Sequence, residues 1–221
     1  MKPKIQIKIC GLTKVKQAIE CVALGADAIG LVFYPKSPRF VDDALARDIA
    51  GAVSPAARVT GVFVDETYAS IMRKVEKCGL TAVQLHGQET AELVQQFKDS
   101  GLTVIKALFH QKEPSFSASV GFSPSAFILE CGVGRLPGGN AQAWDWSAAA
   151  SVERRLPVML AGGLSTDNVL AAVTAGKPDA VDVSSGVEAA PGDKDLGKVK
   201  AFLTAVGQAA AAIDYQTKKL Y

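Results

Sequence analysis

The chain has 221 residues, 48% of them hydrophobic, so it can bury a sizeable core in one large α/β domain or two small ones. Its 24 basic and 22 acidic residues leave a formal charge of +2, and no basic block indicates a nucleic-acid or membrane surface. The four cysteines lack C-x-x-C spacing, and with two histidines they form no convincing metal cluster. These features favour a small-molecule partner, free thiols and a cytoplasmic location, since no apolar run approaches transmembrane length.

The first predicted strand, Ile5 to Ile9, leads directly into Cys10 and then into Thr13, a candidate helix cap. Because side chains alternate along a strand, Lys8 and Cys10 lie on the same face. A neighbouring ammonium favours the thiolate form of a cysteine. Cys10 is therefore either a reactive group at the end of a strand or a small buried hydrophobic residue.

A joint in which a helix ends at glycine and a strand follows recurs along the chain. Gly79 to Val83 resembles Gly25 to Ile29, and Gly176 to Val181 repeats the joint with one extra residue. The predicted strands are 5–9, 28–33, 59–64, 82–85, 103–108, 126–130, 157–160 and 180–183. Eight strands with intervening helices predict a single (β/α)8 barrel over residues 1–215, with 216–221 as a solvated tail. The connection 111–125 is expected to hold only a short helix.

In such barrels the active site forms at the carboxyl ends of the strands, which selects a small set of polar positions and glycine-rich turns. The selected residues are Cys10, Arg39, Asp65, His86, Glu130, Gly162, Gly163, Ser184, Ser185 and Gly186. Two prolines stiffen the loop that carries Arg39, which suits a fixed anion-binding group. The turns after strands seven and eight expose backbone N–H groups that suit a phosphate, and the alternative is that they are ordinary glycine turns.

Five motifs in order along the chain resemble the phosphoribosylanthranilate isomerase family, over almost the whole length. They are 8–13 (KICGLT), 30–39 (GLVFYPKSPR), 83–87 (VQLHG), 160–164 (LAGGL) and 181–188 (VDVSSGVE). The resemblance implies a (β/α)8 barrel that catalyses an Amadori rearrangement of N-(5-phosphoribosyl)anthranilate without metal or organic cofactor. It also implies that Cys10 is the general base, that Arg39 binds the anthranilate, and that the loops after strands seven and eight bind the phosphate.

The sixth unit departs from the family pattern. The family usually has a general-acid aspartate where this chain has Glu130, and residues 140–144 replace the usual sequence before Asp145 and Trp146. A glutamate keeps the carboxyl chemistry but adds a methylene, and a displacement of about 1 Å can cost on the order of a hundredfold in rate. Glu130 must also carry its proton to act, which a desolvated site would favour.

Two further expectations follow. An unpaired Lys8 inside the barrel would be costly, so Lys8 is expected to pair with Asp182 on strand eight, which closes against strand one.

The ligand of the protein is expected to be a phosphorylated small molecule, bound by a monomer or a homodimer. The alternatives are a related phosphoribosyl-sugar isomerase of the histidine-pathway type, which usually has aspartate where Cys10 stands, and a non-catalytic barrel that binds a phosphorylated ligand.

Overall fold

Eight parallel strands close into one barrel, which confirms the predicted (β/α)8 architecture. The computed structural model describes residues 5–134, 138, 140 and 142–221. Met1 to Lys4 and, in the sixth loop, Gly139 and Ala141 lie outside the described residues. The strands are β1 Gln6–Cys10, β2 Ala28–Val32, β3 Arg58–Phe63, β4 Ala82–Leu85, β5 Thr103–Phe109, β6 Ala126–Glu130, β7 Val158–Leu160 and β8 Ala180–Val183.

Helices cover the outside of the barrel, because each presents an apolar face to the strands. They are α1 Val15–Ala23, α2 Asp43–Val53, α3 Tyr68–Cys78, α4 Ala91–Asp99, α5 Val169–Gly176 and α6 Leu196–Ala212. Side chains of Asp42, Thr67, Thr90 and Asp195 cap the amino ends of α2, α3, α4 and α6. Gly79 ends α3 in the left-handed conformation, at φ 68°.

Thr13 does not cap α1, so that prediction is wrong. The cap position belongs to Lys14, which makes no side-chain capping bond. The Thr13 hydroxyl instead donates to Gly192 O at 2.6 Å, tying the first loop to the loop after β8.

The fifth and sixth connections hold 3-10 turns in place of α-helices, at Phe116–Gly121 and Trp146–Ser151. The first agrees with the short helix expected between residues 111 and 125. Another 3-10 turn, Ser185–Val187, follows β8 and leads into a small antiparallel ribbon of β9 Glu188–Ala190 and β10 Asp193–Lys194. This ribbon places Glu188 and Lys194 close to the mouth of the barrel.

The apolar interior is divided by the sheet into two parts. Most core residues lie between the strands and the helices, whereas a smaller cluster fills the barrel itself. The inner cluster consists of Ile105, Ala107, Phe109, Ile128, Met159, Ala161 and Ala180. The inward side chains of β1 are polar, namely Gln6, Lys8 and Cys10, and all three are buried.

The segment after α6 packs under the barrel. Gln6 Oε1 accepts from the backbone N–H of Leu220 at 2.6 Å, and Leu220 and Tyr221 pack against the inner cluster. The prediction of a solvated tail over residues 216–221 is therefore wrong for these two residues, because apolar contacts inside the barrel and the amide of Gln6 hold them. Among the described residues, no helix is both long enough and apolar enough to span a bilayer.

Candidate active site

The candidate active site is a cavity at the carboxyl ends of the strands. Its empty volume is about 720 Å³ including the part open to solvent. The sequence-predicted residues that line it are Arg39, His86, Glu130, Gly162, Gly163, Ser184 and Ser185. Cys10, Asp65 and Gly186 stand outside this lining.

Cys10 ends β1 and is 8% exposed. It pairs with Gly30 of β2, where a Cβ atom would lie only 2.6 Å from Cys10 Sγ. Gly30 therefore leaves the space that the thiol occupies. The next residue, Gly11, adopts a φ of 74° and lies beneath the side chain of Arg39.

Lys8 pairs with Asp182 inside the barrel, as predicted. The distance from Lys8 Nζ to Asp182 Oδ1 is 2.8 Å, and the lysine side chain is fully buried. Burial raises the pKa of Cys10, and the Lys8 ammonium lowers it only in part, so that the pKa of the thiol stays above its ordinary value. The expectation that Lys8 favours the thiolate is thus right in direction, but desolvation outweighs the effect.

Arg39, predicted as an anion-binding group, is held by Glu188. Arg39 Nε donates to Glu188 Oε1 at 2.8 Å and Nη2 donates to Oε2 at 2.7 Å, a paired geometry that fixes the guanidinium plane. Lys194 Nζ also donates to Glu188 Oε1, at 2.7 Å. Burial raises the pKa of Glu188, but the hydrogen bond from Arg39 and the charge of Lys194 outweigh it and leave the pKa below its ordinary value.

Glu130 ends β6, where it is 6% exposed and lines the cavity near His86. A Cβ atom at Gly138 would lie 3.2 Å from Glu130 Oε1 and 2.7 Å from His86 Nε2, so Gly138 lies against both side chains. His86 Nδ1 is 2.9 Å from Gln84 Nε2, and its ring meets Phe109 edge-on. If the amide donates, the proton of a neutral imidazole is on Nε2, the atom that lies nearest to Gly138.

The loops after β7 and β8 pack against each other and present backbone amides to the cavity. Gly163 has a φ of 67°, and a Cβ at Gly186 would lie 2.0 Å from Leu164 O, so both positions need glycine. Within the described part of the chain, no acceptor is recorded for the backbone N–H groups of Gly163, Ser185 and Gly186. Such a group of N–H donors can bind an anion.

Asp65 belongs to the framework of the site. It adopts a left-handed backbone conformation, with φ 53°, and its Oδ1 accepts from Gln88 N at 2.6 Å. It therefore ties the loop after β3 to the loop after β4. The described residues contain no cluster of His, Cys, Asp or Glu side chains suited to a metal ion.

Sequence reasoning did not select Glu188 and Lys194, although both lie beside Arg39. Glu188 ends one of the five motifs, and its position four residues after Ser184 is the signal that could have identified it. Lys194 lies in the ribbon after β8, and nothing in the local pattern marks it as buried.

Comparison with known proteins agrees with the motifs. The family model for N-(5'phosphoribosyl)anthranilate (PRA) isomerase matches residues 7–205. The N-(5'-phosphoribosyl)anthranilate isomerase of Desulfatibacillum aliphaticivorans is 51% identical over 217 residues, covering 98% of this chain and 99% of that protein.

Two solved structures show the same likeness in three dimensions. The phosphoribosyl anthranilate isomerase of Thermotoga maritima has a TM-score of 0.82 at 35% identity, covering 92% of this chain and 99% of its own. A phosphoribosyl anthranilate isomerase in complex with reduced 1-(o-carboxyphenylamino)-1-deoxyribulose 5-phosphate has a TM-score of 0.79 at 34% identity, with the same coverage. The chain therefore belongs to the N-(5'-phosphoribosyl)anthranilate isomerase family.

Proposed function

We propose that this chain catalyses the Amadori rearrangement of N-(5'-phosphoribosyl)anthranilate to 1-(2-carboxyphenylamino)-1-deoxyribulose 5-phosphate, a step of tryptophan biosynthesis. Membership of the family, shown by the match over residues 7–205, is the observation that carries the proposal. The cavity supports it, because an arginine, a carboxyl group and two amide-rich loops border one space.

The substrate carries an anion at each end, and the cavity offers a cationic or amide-rich group for each. The phosphate would bind the N–H groups of Gly163, Ser185 and Gly186, with Gly162 and Ser184 shaping the same two loops. The anthranilate carboxylate would bind Arg39, whose guanidinium plane Glu188 already fixes. Binding at both ends would place the ribose ring between β1 and β6.

Ring opening requires an acid, and Glu130 is the group proposed for it. Its proton would pass to the ribose ring oxygen as the C1–O bond breaks, and the nitrogen lone pair would form the iminium. Glu130 is buried at the strand end where the family usually has aspartate, which supports this role. His86 lies nearby and would help to fix the carboxyl group or the substrate beside it.

The second step removes the C2 proton of the iminium, and Cys10 is the proposed base. The electron pair of the C2–H bond would neutralise the iminium and give an enolamine, which tautomerises to the ketose product. Cys10 ends β1 whereas Glu130 ends β6, and these strands are not neighbours in the barrel. An acid and a base on opposite sides of the ribose would suit the two proton transfers.

The test is a turnover assay with freshly prepared N-(5'-phosphoribosyl)anthranilate, comparing the parent with Cys10→Ser. We expect rapid loss of substrate with the parent and a rate lower by about 10² to 10⁴-fold with Cys10→Ser, since serine is a far poorer base. Near-normal turnover by Cys10→Ser would remove Cys10 from the mechanism. Binding without turnover by the parent would favour the non-catalytic alternative, and turnover of the histidine-pathway substrate alone would favour that isomerase.

A cytoplasmic location is expected for an enzyme of amino-acid biosynthesis, and the oligomeric state is expected to be a monomer or a homodimer. Size-exclusion chromatography with light scattering would separate the two states.

A further inference from the structure

The chain after α6, residues 213–221, forms a segment that crosses the amino-terminal end of the barrel. We call it the floor segment, and it lies beyond residue 205, where the match to the family model ends. The Tyr215 hydroxyl donates to Pro178 O at 2.7 Å, and the backbone N–H of Lys218 donates to Asp179 Oδ1 at 2.7 Å. The segment is thus attached to the loop that precedes β8.

Leu220 and Tyr221 of the floor segment lie against the inner cluster of the barrel. Gln6 Oε1 accepts from the backbone N–H groups of Leu220 and Tyr221, at 2.6 and 3.2 Å. The Tyr221 hydroxyl is buried and has no hydrogen-bond partner among the described residues. Burial raises the pKa of Tyr221, while the charge of Lys8 lowers it in part. The phenol therefore lies in the buried interior, against the inner cluster.

The strands leave room for this ring. The inward positions at the lower ends of the four even-numbered strands are all alanine, and all four are fully buried: Ala28, Ala82, Ala126 and Ala180. Barrels of this class usually fill each interior layer with bulky branched side chains. Four methyl groups leave a space beneath Lys8, and the ring of Tyr221 packs into the inner cluster there.

Lys8 connects this floor to the mouth of the barrel. It is two residues from Cys10 on the same inward face of β1, and Gln6, which holds the floor segment, is two residues away on the other side. A Cβ atom at Gly30 would lie 3.1 Å from Lys8 Cε and 2.6 Å from Cys10 Sγ, so the lysine chain and the thiol lie together. Gln6, Lys8 and Cys10 thus form one column that begins at the floor segment.

We propose that Tyr221 is a positioning residue, whose ring completes the barrel interior from below and holds the Lys8 ammonium in a water-free setting beside Asp182 and Cys10. It acts on the reaction only through Lys8 and Cys10. Its kinetic consequence rests on the proposed role of Cys10 as base. Its effects on packing and on the thiol do not depend on that role.

The first experiment measures packing with Tyr221→Ala and Tyr221→Phe. Loss of the ring opens a cavity, so Tyr221→Ala should lower Tm by about 10 °C, whereas Tyr221→Phe should stay within about 3 °C of the parent. Added p-cresol, which matches the missing side chain, should raise the Tm of Tyr221→Ala but not that of the parent, because apolar cavities bind small aromatics. Phe40→Ala is the control, since it removes an aromatic ring that is 41% exposed and lies outside the floor segment, and it should give no p-cresol effect.

The second experiment measures positioning by titrating the Cys10 thiolate through its ultraviolet absorbance, each variant being compared with its own Cys10→Ser partner. The vacated space is apolar except where the Lys8 ammonium borders it, so water enters there in the absence of p-cresol and screens Lys8. Tyr221→Ala should therefore shift the Cys10 titration to higher pH by about one unit, and Tyr221→Phe or added p-cresol should restore it. If Tyr221→Ala does not fold, Tyr221→Leu replaces it, with the same direction expected. An unchanged titration in the ring-deleted variant, with or without a fall in Tm, would overturn the positioning role.

Turnover distinguishes this inference from the proposed function. A parent that fails to convert N-(5'-phosphoribosyl)anthranilate would refute the proposed function, yet the Tm and thiol measurements would still decide the role of Tyr221. In an active parent, kcat/KM of Tyr221→Ala at neutral pH should fall by about tenfold and recover as the pH rises, because one pH unit changes the thiolate fraction about tenfold.

Discussion

Arg39 and Glu188 form a fork-shaped pair, with hydrogen bonds of 2.8 and 2.7 Å from one guanidinium to one carboxylate. The pair lies at the cavity, and Lys194 supports the same carboxylate. Glu188 therefore decides where the remaining N–H groups of Arg39 point.

Replacing Glu188 by Gln should weaken substrate binding more than the chemical step. The amide cannot accept from both guanidinium nitrogens and Lys194 as a carboxylate does, so Arg39 would lose its fixed plane. We expect KM to rise by about tenfold with kcat within about threefold of the parent, measured by steady-state kinetics. Glu92→Gln, at an exposed position of α4, is the control and should leave both constants unchanged. A large fall in kcat at unchanged KM would contradict the interpretation.

The same carboxylate should make stability depend on acid pH. The pKa of Glu188 lies below its ordinary value, since Arg39 and Lys194 together outweigh burial. Its contribution to stability is therefore fully present above its unfolded pKa of about 4.3 and is lost as the pH falls through its folded pKa. The Tm of the parent should fall more steeply below pH about 4 than the Tm of Glu188→Gln. Parallel curves for the two proteins would show that Glu188 is not responsible.

Lys8→Met should move the activity of the enzyme to higher pH. The charge of Lys8 lowers the pKa of Cys10 against the effect of burial, so its removal raises that pKa further. We expect kcat/KM at neutral pH to fall by at least tenfold and the ascending limb of its pH profile, which reports deprotonation of the base, to move up by at least one pH unit. Lys8→Met combined with Asp182→Asn is the control, because it avoids leaving Asp182 charged and unpaired. An unshifted pH profile in both variants would mean that Lys8 has no influence on the base.

Position 130 offers a direct test of the proposed acid. Glu130→Gln keeps the shape but cannot donate a proton, so turnover should fall by about 10² to 10⁴-fold while binding of inorganic phosphate is retained. Glu130→Asp restores the residue usual in the family and should preserve or raise activity. Parent-like turnover by Glu130→Gln would place the acid elsewhere, with Asp145 as the next candidate.

Gly186→Ala should damage phosphate binding. The added methyl would lie 2.0 Å from Leu164 O, so the two amide-rich loops must separate. We expect KM to rise by at least tenfold and inorganic phosphate to lose its competition with substrate. Gly207→Ala is the matched control, because no atom lies within 4 Å of the added Cβ in helix α6 and alanine favours a helix. Equal KM values for the two variants would remove Gly186 from the phosphate site.

Much of the fold followed from local patterns. Strands β4 Ala82–Leu85, β6 Ala126–Glu130 and β8 Ala180–Val183 have the predicted bounds, because apolar runs between glycine joints define buried parallel strands well. The pairing of Lys8 with Asp182 was also predictable, since closure of the barrel brings β8 beside β1 and a buried ammonium needs a carboxylate. Alternation along a single strand was enough to identify the column of polar side chains.

Contacts made by loops after β8 and by the floor segment were not predictable in the same way. Glu188 meets Arg39 across 149 positions of sequence, through a ribbon that has no strong pattern of its own. Residues 216–221 are mostly polar, and a solvated tail was therefore expected, yet Gln6 and the four alanines provide a site for Tyr221 that only the closed barrel contains. The net effect of burial on Cys10 likewise depends on the finished packing.

The polar column of β1 has a consequence for the order of folding. Its inward side chains find partners only at very large sequence separations, 174 positions for Lys8 with Asp182 and 214 for Gln6 with Leu220. Closing such loops is entropically costly, and β1 gains little apolar burial inside the barrel until they close. The seam between β1 and β8 is therefore expected to form after the transition state, which φ-values near zero for Ile9→Ala and Val181→Ala would demonstrate. By the same reasoning, these substitutions would mainly accelerate unfolding. The contacts between β1 and β8 therefore determine how long the native barrel persists before it unfolds.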